Sequence, residues 1–249
     1  MLPERFQERL VELLKDVRTE LTEGGSAKVP PITLEVDGSA VRAQHRRLSP
    51  DMVEKAKYIV GDLLRRRLVS VAKAGDWCSP SHFVKKRDGT WRLTIDFRAV
   101  NSQTRTSHHP LPSTKWLLAG LSGMRVFSKL DLAHGFWNLR LDEVSKKYTG
   151  FHVPGVGTYR WEVLPQGFKT SPTEFQRVME EVLAGEISTG EVIIYLDDIL
   201  IATQDEARHL EVIKRVLGRI QQAELCLKLN KCEFMKRELD ILGLTSRKA

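Results

Sequence analysis

The sequence predicts an α+β fold. Three observations lead there: four segments space apolar residues as amphipathic helices do, several pairs of short apolar runs flank turn residues, and one such pair meets at two adjacent aspartates. At 249 residues, 41% hydrophobic and 29% charged, the chain can bury a sizeable core as one large domain or two small ones.

Taken in order, Phe6, Leu10, Leu13, Leu14, Val17 and Leu21 predict a helix over 6–21, ended by Glu23-Gly24-Gly25-Ser26. After the extended Val29-Pro30-Pro31-Ile32, Ser49 is an N-cap with Pro50 at the first helical position. Met52, Val53, Ala56, Ile59, Val60, Leu63 and Leu64 line the helix that follows, near 50–67. Arg65-Arg66-Arg67 at its end complements the helix dipole. Runs at 81–86 and 91–97 flank Arg87-Asp88-Gly89, and the Asp-Gly pair predicts a tight, basic hairpin. A strand is expected at 126–132. A second hairpin pairs 147–153 with 158–163 across Pro154-Gly155-Val156-Gly157, which lacks the further residues of a dinucleotide or phosphate loop and reads as turn chemistry. Ser171-Pro172-Thr173-Glu174 has the form of a capping box, and Phe175, Val178, Met179, Val182 and Leu183 line the helix it opens. Two buried strands at 191–196 and 198–203 then join at an acidic tip, and a last helix over 205–224 turns Leu210, Ile213, Leu217 and Ile220 inward.

The longest apolar stretches are too short to span a bilayer, and the N-terminus has no signal-peptide pattern, so neither membrane nor secretion is expected. Cys78, Cys226 and Cys232 form an odd set without ligand spacing to histidine, and read as reduced structural thiols. Net charge is +7, and residues 41–110 hold 15 Lys or Arg against 6 Asp or Glu. One third of the chain thus carries the positive field. It suits a polyphosphate partner, though a solvated basic face explains the charge equally well.

Two carboxylates about 4 Å apart repel by roughly 4 kcal/mol at an effective dielectric near 20, so Asp197-Asp198 amid apolar residues calls for a cation or for a solvated turn. A third acid, Asp131, ends the apolar strand of Phe127-Ser128-Lys129-Leu130-Asp131-Leu132-Ala133-His134-Gly135-Phe136, 66 residues earlier. Three carboxylates are about what two Mg²⁺ ions need when waters and phosphates supply the remaining oxygens.

These blocks, together with Val29-Pro30-Pro31-Ile32, Ser79-Pro80, Phe83-Val84-Lys85-Lys86-Arg87-Asp88-Gly89-Thr90-Trp91-Arg92, Asp96-Phe97-Arg98-Ala99-Val100-Asn101, Leu164-Pro165-Gln166-Gly167-Phe168-Lys169-Thr170-Ser171-Pro172, Tyr195-Leu196-Asp197-Asp198 and Lys228-Leu229-Asn230-Lys231-Cys232-Glu233-Phe234, carry a resemblance. Over roughly 29–243 the chain resembles the reverse transcriptases of gypsy-type LTR retrotransposons and, more distantly, of retroviruses.

The resemblance implies a right-hand polymerase fold with an antiparallel palm sheet packed on helices. Fingers are expected at about 29–110 and 143–164 and palm at about 111–142 and 165–243, preceded by a flanking helix and linker over 1–28. The palm block ends at Leu242-Gly243, 244–249 is expected to be a truncated tail, and the thumb is missing. It implies RNA-directed DNA polymerase activity: two Mg²⁺ ions, with Mn²⁺ able to substitute, held by Asp131, Asp197, Asp198 and the Leu132 carbonyl. Lys86 and Arg92 are then expected to reach the triphosphate, Gln166 the nucleotide, and Tyr195 the primer terminus. Phe136 falls at the steric gate that rejects a 2′-hydroxyl, which disfavours an RNA-dependent RNA polymerase. Implied partners are an RNA template, a DNA template and primer, deoxynucleoside triphosphates and the rest of a Pol polyprotein, namely thumb, ribonuclease H and integrase, in a cytoplasmic particle. The alternative is an inactive retroelement remnant that at most binds nucleic acid through its basic fingers.

Overall fold

The computed structural model describes residues 4–21, 23–42, 47–106, 109, 120–241 and 244–246. The expected fingers–palm boundary near 110–111 and the Leu242-Gly243 pair lie outside them. Two compact units emerge, one of residues 1–21, 109–135 and 175–249, the other of 22–108 and 136–174.

The second unit is built on a five-stranded sheet. Its strands are β1 (Val69–Val71), β2 (Ser79–Lys85), β3 (Trp91–Ile95), β5 (Phe151–Val153) and β6 (Gly157–Trp161), in the order β1-β6-β5-β2-β3. All pairs are antiparallel except β2 with β5. The basic hairpin forms as expected: Lys85 faces Trp91, and Lys86 N–H donates to the Thr90 carbonyl at 2.7 Å. Asp88 Oδ1 accepts from the Thr90 N–H and hydroxyl, which holds its carboxyl below the ordinary range, and Gly89 supplies φ +83°. The second hairpin is shorter than its sequence suggests, because Lys147–Thr149 winds into a 3₁₀ turn. Helix α2 (Pro50–Arg65) starts as expected, with Ser49 Oγ accepting from Met52 N–H. Arg65 and Arg66 pair with Asp62, and Arg67 with Glu23, so these three charges have local partners.

The first unit centres on a four-stranded sheet, β7 (Val192–Tyr195), β8 (Asp198–Thr203), β4 (Val126–Asp131) and β9 (Glu233–Lys236), antiparallel throughout in that order. Strand β8 is central and covered on both faces, which explains its continuous apolar run. On one face Leu200 and Ala202 pack with Phe127, Leu121 and Leu239. Each of the leucine and phenylalanine side chains contributes about 1.5–3 kcal/mol by leaving water. Helix α7 (Glu206–Gln222) packs on β8 with Leu210, Val212, Ile213, Val216, Leu217 and Ile220 buried, and Asp205 caps it by accepting from Arg208 N–H.

Within this packing lies a buried polar chain. Thr203 donates to the Asp205 carbonyl, so its oxygen accepts from His209 Nδ1–H; His209 Nε2 then accepts from Ser128, whose oxygen accepts Met235 N–H. Burial pushes His209 down to about 4, so the ring is neutral.

Three expectations change. The first helix stops at Leu14 (α1, Glu4–Leu14); beyond it the Arg18 carbonyl accepts from Leu227 N–H and Leu21 is buried outside any helix, so helical spacing continued where the chain had turned to another partner. Ser171 is not an N-cap: it lies inside α5 (Ser171–Val182) and its hydroxyl donates to the Pro165 carbonyl, so the capping-box pattern is coincidental. Residues 244–246, expected as tail, form strand β11 (Leu244–Ser246) against β10 (Leu239–Ile241).

Candidate active site

The acidic tip is a two-residue β-hairpin turn. Tyr195 pairs with Asp198, leaving Leu196 and Asp197 as the loop. A two-residue hairpin wants a left-handed first residue, usually glycine; Leu196 sits there at φ +54°, a strained conformation for a side-chain-bearing residue. On the other side of β8, Asp131 is the direct cross-strand partner of Asp198. Sheet register therefore sets the three aspartates next to one another, since directly opposed Cβ atoms lie about 4.5–5.5 Å apart.

Charge confirms the crowding. Asp197 is exposed as a residue, yet partial desolvation of its carboxyl, and then the negative charges of Asp131 and Asp198, hold it above the ordinary carboxylate range, with Lys231 opposing. Lys129 Nζ lies 2.8 Å from Asp198 Oδ2, and Lys231 Nζ lies 3.8 Å from Asp131 Oδ2. Among the described residues, no three acidic, histidine or cysteine side chains are set to grip one ion. The donor set nonetheless fits a divalent cation: Asp131 and Asp198 offer hard carboxylate oxygens in register on adjacent strands, Asp197 precedes Asp198 in the turn, and at Gly135 an added Cβ would stand 2.8 Å from Asp197 Oδ1, so the glycine leaves open the space beside that carboxylate.

Backbone bonds fix the far side of β4. Lys228 N–H donates to the Asp131 carbonyl and Ala133 N–H to the Cys226 carbonyl. Strand alternation then directs the Leu132 carbonyl away from this neighbour, toward the side of β8. Cys232 Sγ accepts from Asp131 N–H at 3.4 Å; it is a free thiol, raised by burial.

The remaining candidates belong to the other unit. Lys86 and Arg92 share one face of the basic hairpin, a diagonal step apart. Arg92 donates to the Gln166 side-chain oxygen, so those two expected nucleotide contacts meet. Phe136 lies in a 3₁₀ turn, Gly135–Asn138, and is half-buried.

Several residues carried no clear signal in the sequence. Asn101 holds the loop that bears Gln166, donating to the Gly167 carbonyl and accepting from Lys169 N–H. Gln176 reaches the acidic turn from α5. Lys129 could have been found, because two residues before Asp131 on a strand is the same face.

The reverse transcriptase (RNA-dependent DNA polymerase) family model matches residues 84–246. The Transposon Tf2-3 polyprotein of Schizosaccharomyces pombe is 29% identical over 94% of this chain, and Transposon Tf2-7 polyprotein of the same yeast is 28% identical. The chain spans about 18% of the length of these relatives. Among solved structures, the prototype foamy virus protease-reverse transcriptase, in a selenomethionine-labelled crystal form, is 25% identical with a TM-score of 0.87 over 100% of this chain and 34% of its own. A foamy viral protease-reverse transcriptase in complex with an RNA/DNA hybrid gives a TM-score of 0.86 at 24% identity over 98% of this chain and 33% of its own. The α+β architecture is thus that of reverse transcriptase fingers and palm, and by family model, relatives and fold together the chain belongs to the reverse transcriptase (RNA-dependent DNA polymerase) family.

Proposed function

We propose that this chain is the fingers and palm of an RNA-directed DNA polymerase of a gypsy-type retroelement, joining deoxynucleoside triphosphates to a primer 3′-hydroxyl on an RNA or DNA template. The observation that carries this reading is the register of Asp131 against Asp198 beside Asp197 at a strained turn. A cluster of acids packed this closely is costly in itself, and a divalent cation offsets that cost.

Asp131, Asp197, Asp198 and the Leu132 carbonyl would hold Mg²⁺, or Mn²⁺ in its place. When bound, two such cations would acidify the primer 3′-hydroxyl, so that its proton passes to solvent as the oxygen attacks, and would offset charge on the leaving pyrophosphate. Lys86 and Arg92 would neutralise triphosphate charge as it builds, and the Arg92–Gln166 bond holds those two side chains together. Gln166 offers its amide to sugar or base-pair polar groups, Phe136 fills the space a 2′-hydroxyl would need, and Tyr195, in the half-buried position next to the turn, sets the primer terminus. Fingers correspond to about 29–110 and 143–164 and palm to about 111–142 and 165–243.

A template–primer duplex as substrate is supported by the similar foamy viral enzyme, held on an RNA/DNA hybrid in one structure and on dsDNA in another. The similarity to transposon polyproteins supports a place for this chain within a longer Pol polyprotein. No helix among the described residues is long and apolar enough to cross a membrane.

Primer extension on an RNA template with Mg²⁺ tests the proposal. The chain should extend the primer and its Asp197→Asn variant should not; failure of the unaltered chain to extend would favour the inactive, nucleic-acid-binding remnant instead.

A further inference from the structure

We infer that Gln176 is a positioning residue for Asp197 and Asp198: its buried amide holds the strained turn between β7 and β8 in the shape that presents both carboxylates. This deepens the nucleotidyl-transfer reading and rests on it.

Gln176 projects from α5 with none of its surface exposed. Its Oε1 accepts the Leu196 N–H at 2.8 Å, while Nε2 donates to the Ile194 carbonyl at 2.9 Å and to Glu180 Oε1 at 2.7 Å. Both amide protons are used, and a flipped amide would set donor against donor at Leu196 and oxygen against oxygen at Ile194. The orientation is therefore fixed by the network. The two backbone bonds straddle Tyr195, so the side chain stands in for a missing strand along the last turn of β7.

That support falls where the backbone is least comfortable. Leu196 holds φ +54°, the region that favours glycine, and Asp197 follows it directly. Such residues persist only where their surroundings over-determine them, and here Gln176 is the group that binds the turn from within the core. Losing it would let Leu196 relax toward negative φ and swing the Asp197 carboxylate off the Asp131–Asp198 pair. The rival role is plain packing between α5 and β7, which would leave the carboxylates indifferent to the loss.

The experiment uses the full chain and three forms: unaltered, Gln176→Met, and Gln176→Met with Leu196→Gly. Amide hydrogen exchange at residue 196 by NMR reports the clamp, and Mn²⁺ titration followed by EPR reports the site without requiring turnover. The unaltered chain should protect the Leu196 amide despite its place at a turn. Gln176→Met should speed that exchange at least 100-fold and weaken Mn²⁺ binding about 10-fold. Adding Leu196→Gly should recover most of the Mn²⁺ affinity, because glycine takes the left-handed conformation unaided; a packing role would not be rescued this way. An unprotected Leu196 amide in the unaltered chain overturns the clamp even if the variant fails to fold. Mn²⁺ affinity equal in the unaltered and Gln176→Met chains overturns the positioning role alone. A protected Leu196 amide in an unaltered chain that binds no Mn²⁺ sinks the nucleotidyl-transfer reading, and the positioning role with it.

Discussion

Replacing Gly135 by alanine should damage catalysis far more than stability. The new Cβ would stand 2.8 Å from Asp197 Oδ1 and 3.4 Å from its Cγ, where ordinary contact begins at 3.4 Å, so the carboxylate must retreat by about 0.6 Å. That oxygen is the end of a side chain free to rotate, and the retreat itself is cheap. The φ of +27° at position 135 adds roughly 1 kcal/mol for an alanine, which in a chain of this size lowers Tm by about 2–4 °C. Function is less forgiving: catalytic groups need placement within about 0.5 Å, and a 1 Å error can cost about 100-fold. Primer extension with Mg²⁺ should accordingly fall at least about 10-fold while thermal denaturation shows only the small shift. Gly150→Ala is the contrasting case. There the Cβ would meet the Trp77 carbonyl oxygen at 1.9 Å, backbone that cannot swing away, so stability should drop by about 3 kcal/mol or more. Extension by Gly135→Ala within twofold of the unaltered chain would refute the argument that the reaction depends on where the Asp197 carboxylate sits.

Other outcomes follow from the same geometry. His209 is depressed from an ordinary 6.5 to about 4, so below pH 6.5 the unfolded chain binds a proton the folded chain refuses; stability from this group is full above 6.5 and falls by roughly 3 kcal/mol as pH drops to 4. Urea denaturation at pH 7 and pH 4.5 should show that slope, and His209→Gln should flatten it; an unaltered slope in the variant would dismiss His209 as its source. Lys129→Met removes the ammonium competing for Asp198 and should tighten Mn²⁺ binding by about 2–10-fold, measured by EPR titration; weaker binding would mean the lysine helps to hold the cation site. Phe136→Val should admit ribonucleoside triphosphates in primer extension, and rejection as strong as before would remove the gate assignment.

The sequence displayed the helices and hairpins because those rest on local chemistry. Ser49-Pro50 caps α2, Asp88-Gly89 turns the basic hairpin, and the apolar run at 198–203 is the twice-covered strand β8. It misled where a local pattern had a distant competitor. Ser171 looks like a cap, yet the Pro165 carbonyl takes its hydroxyl; Val17 and Leu21 keep helical spacing, yet this segment gives the Arg18 carbonyl to Leu227, more than two hundred residues away. The three aspartates were legible as chemistry, while Gln176 and Asn101 were not. Their roles depend on where a helix and a loop pack in three dimensions, and an amide in an amphipathic helix looks the same from the sequence whether it faces water or a turn.

The acidic cluster has ammonium partners of its own. Three carboxylates this close repel one another, and two ammonium groups lie where the strands already lead: Lys129 on the face of β4 that carries Asp131, and Lys231 at the end of the 3₁₀ turn (Leu229–Lys231) that precedes β9. These ion pairs are partly open to solvent, so each is weak enough to yield. A divalent cation arriving with a triphosphate would replace them and let the carboxylates converge, whereas Leu196, anchored by Gln176, would keep its place. The site thus divides into a fixed part, the turn and its clamp, and an exchangeable part, the counterions. Under the proposed nucleotidyl transfer, that division would let the ionic partners change with each nucleotide while the backbone holds its shape.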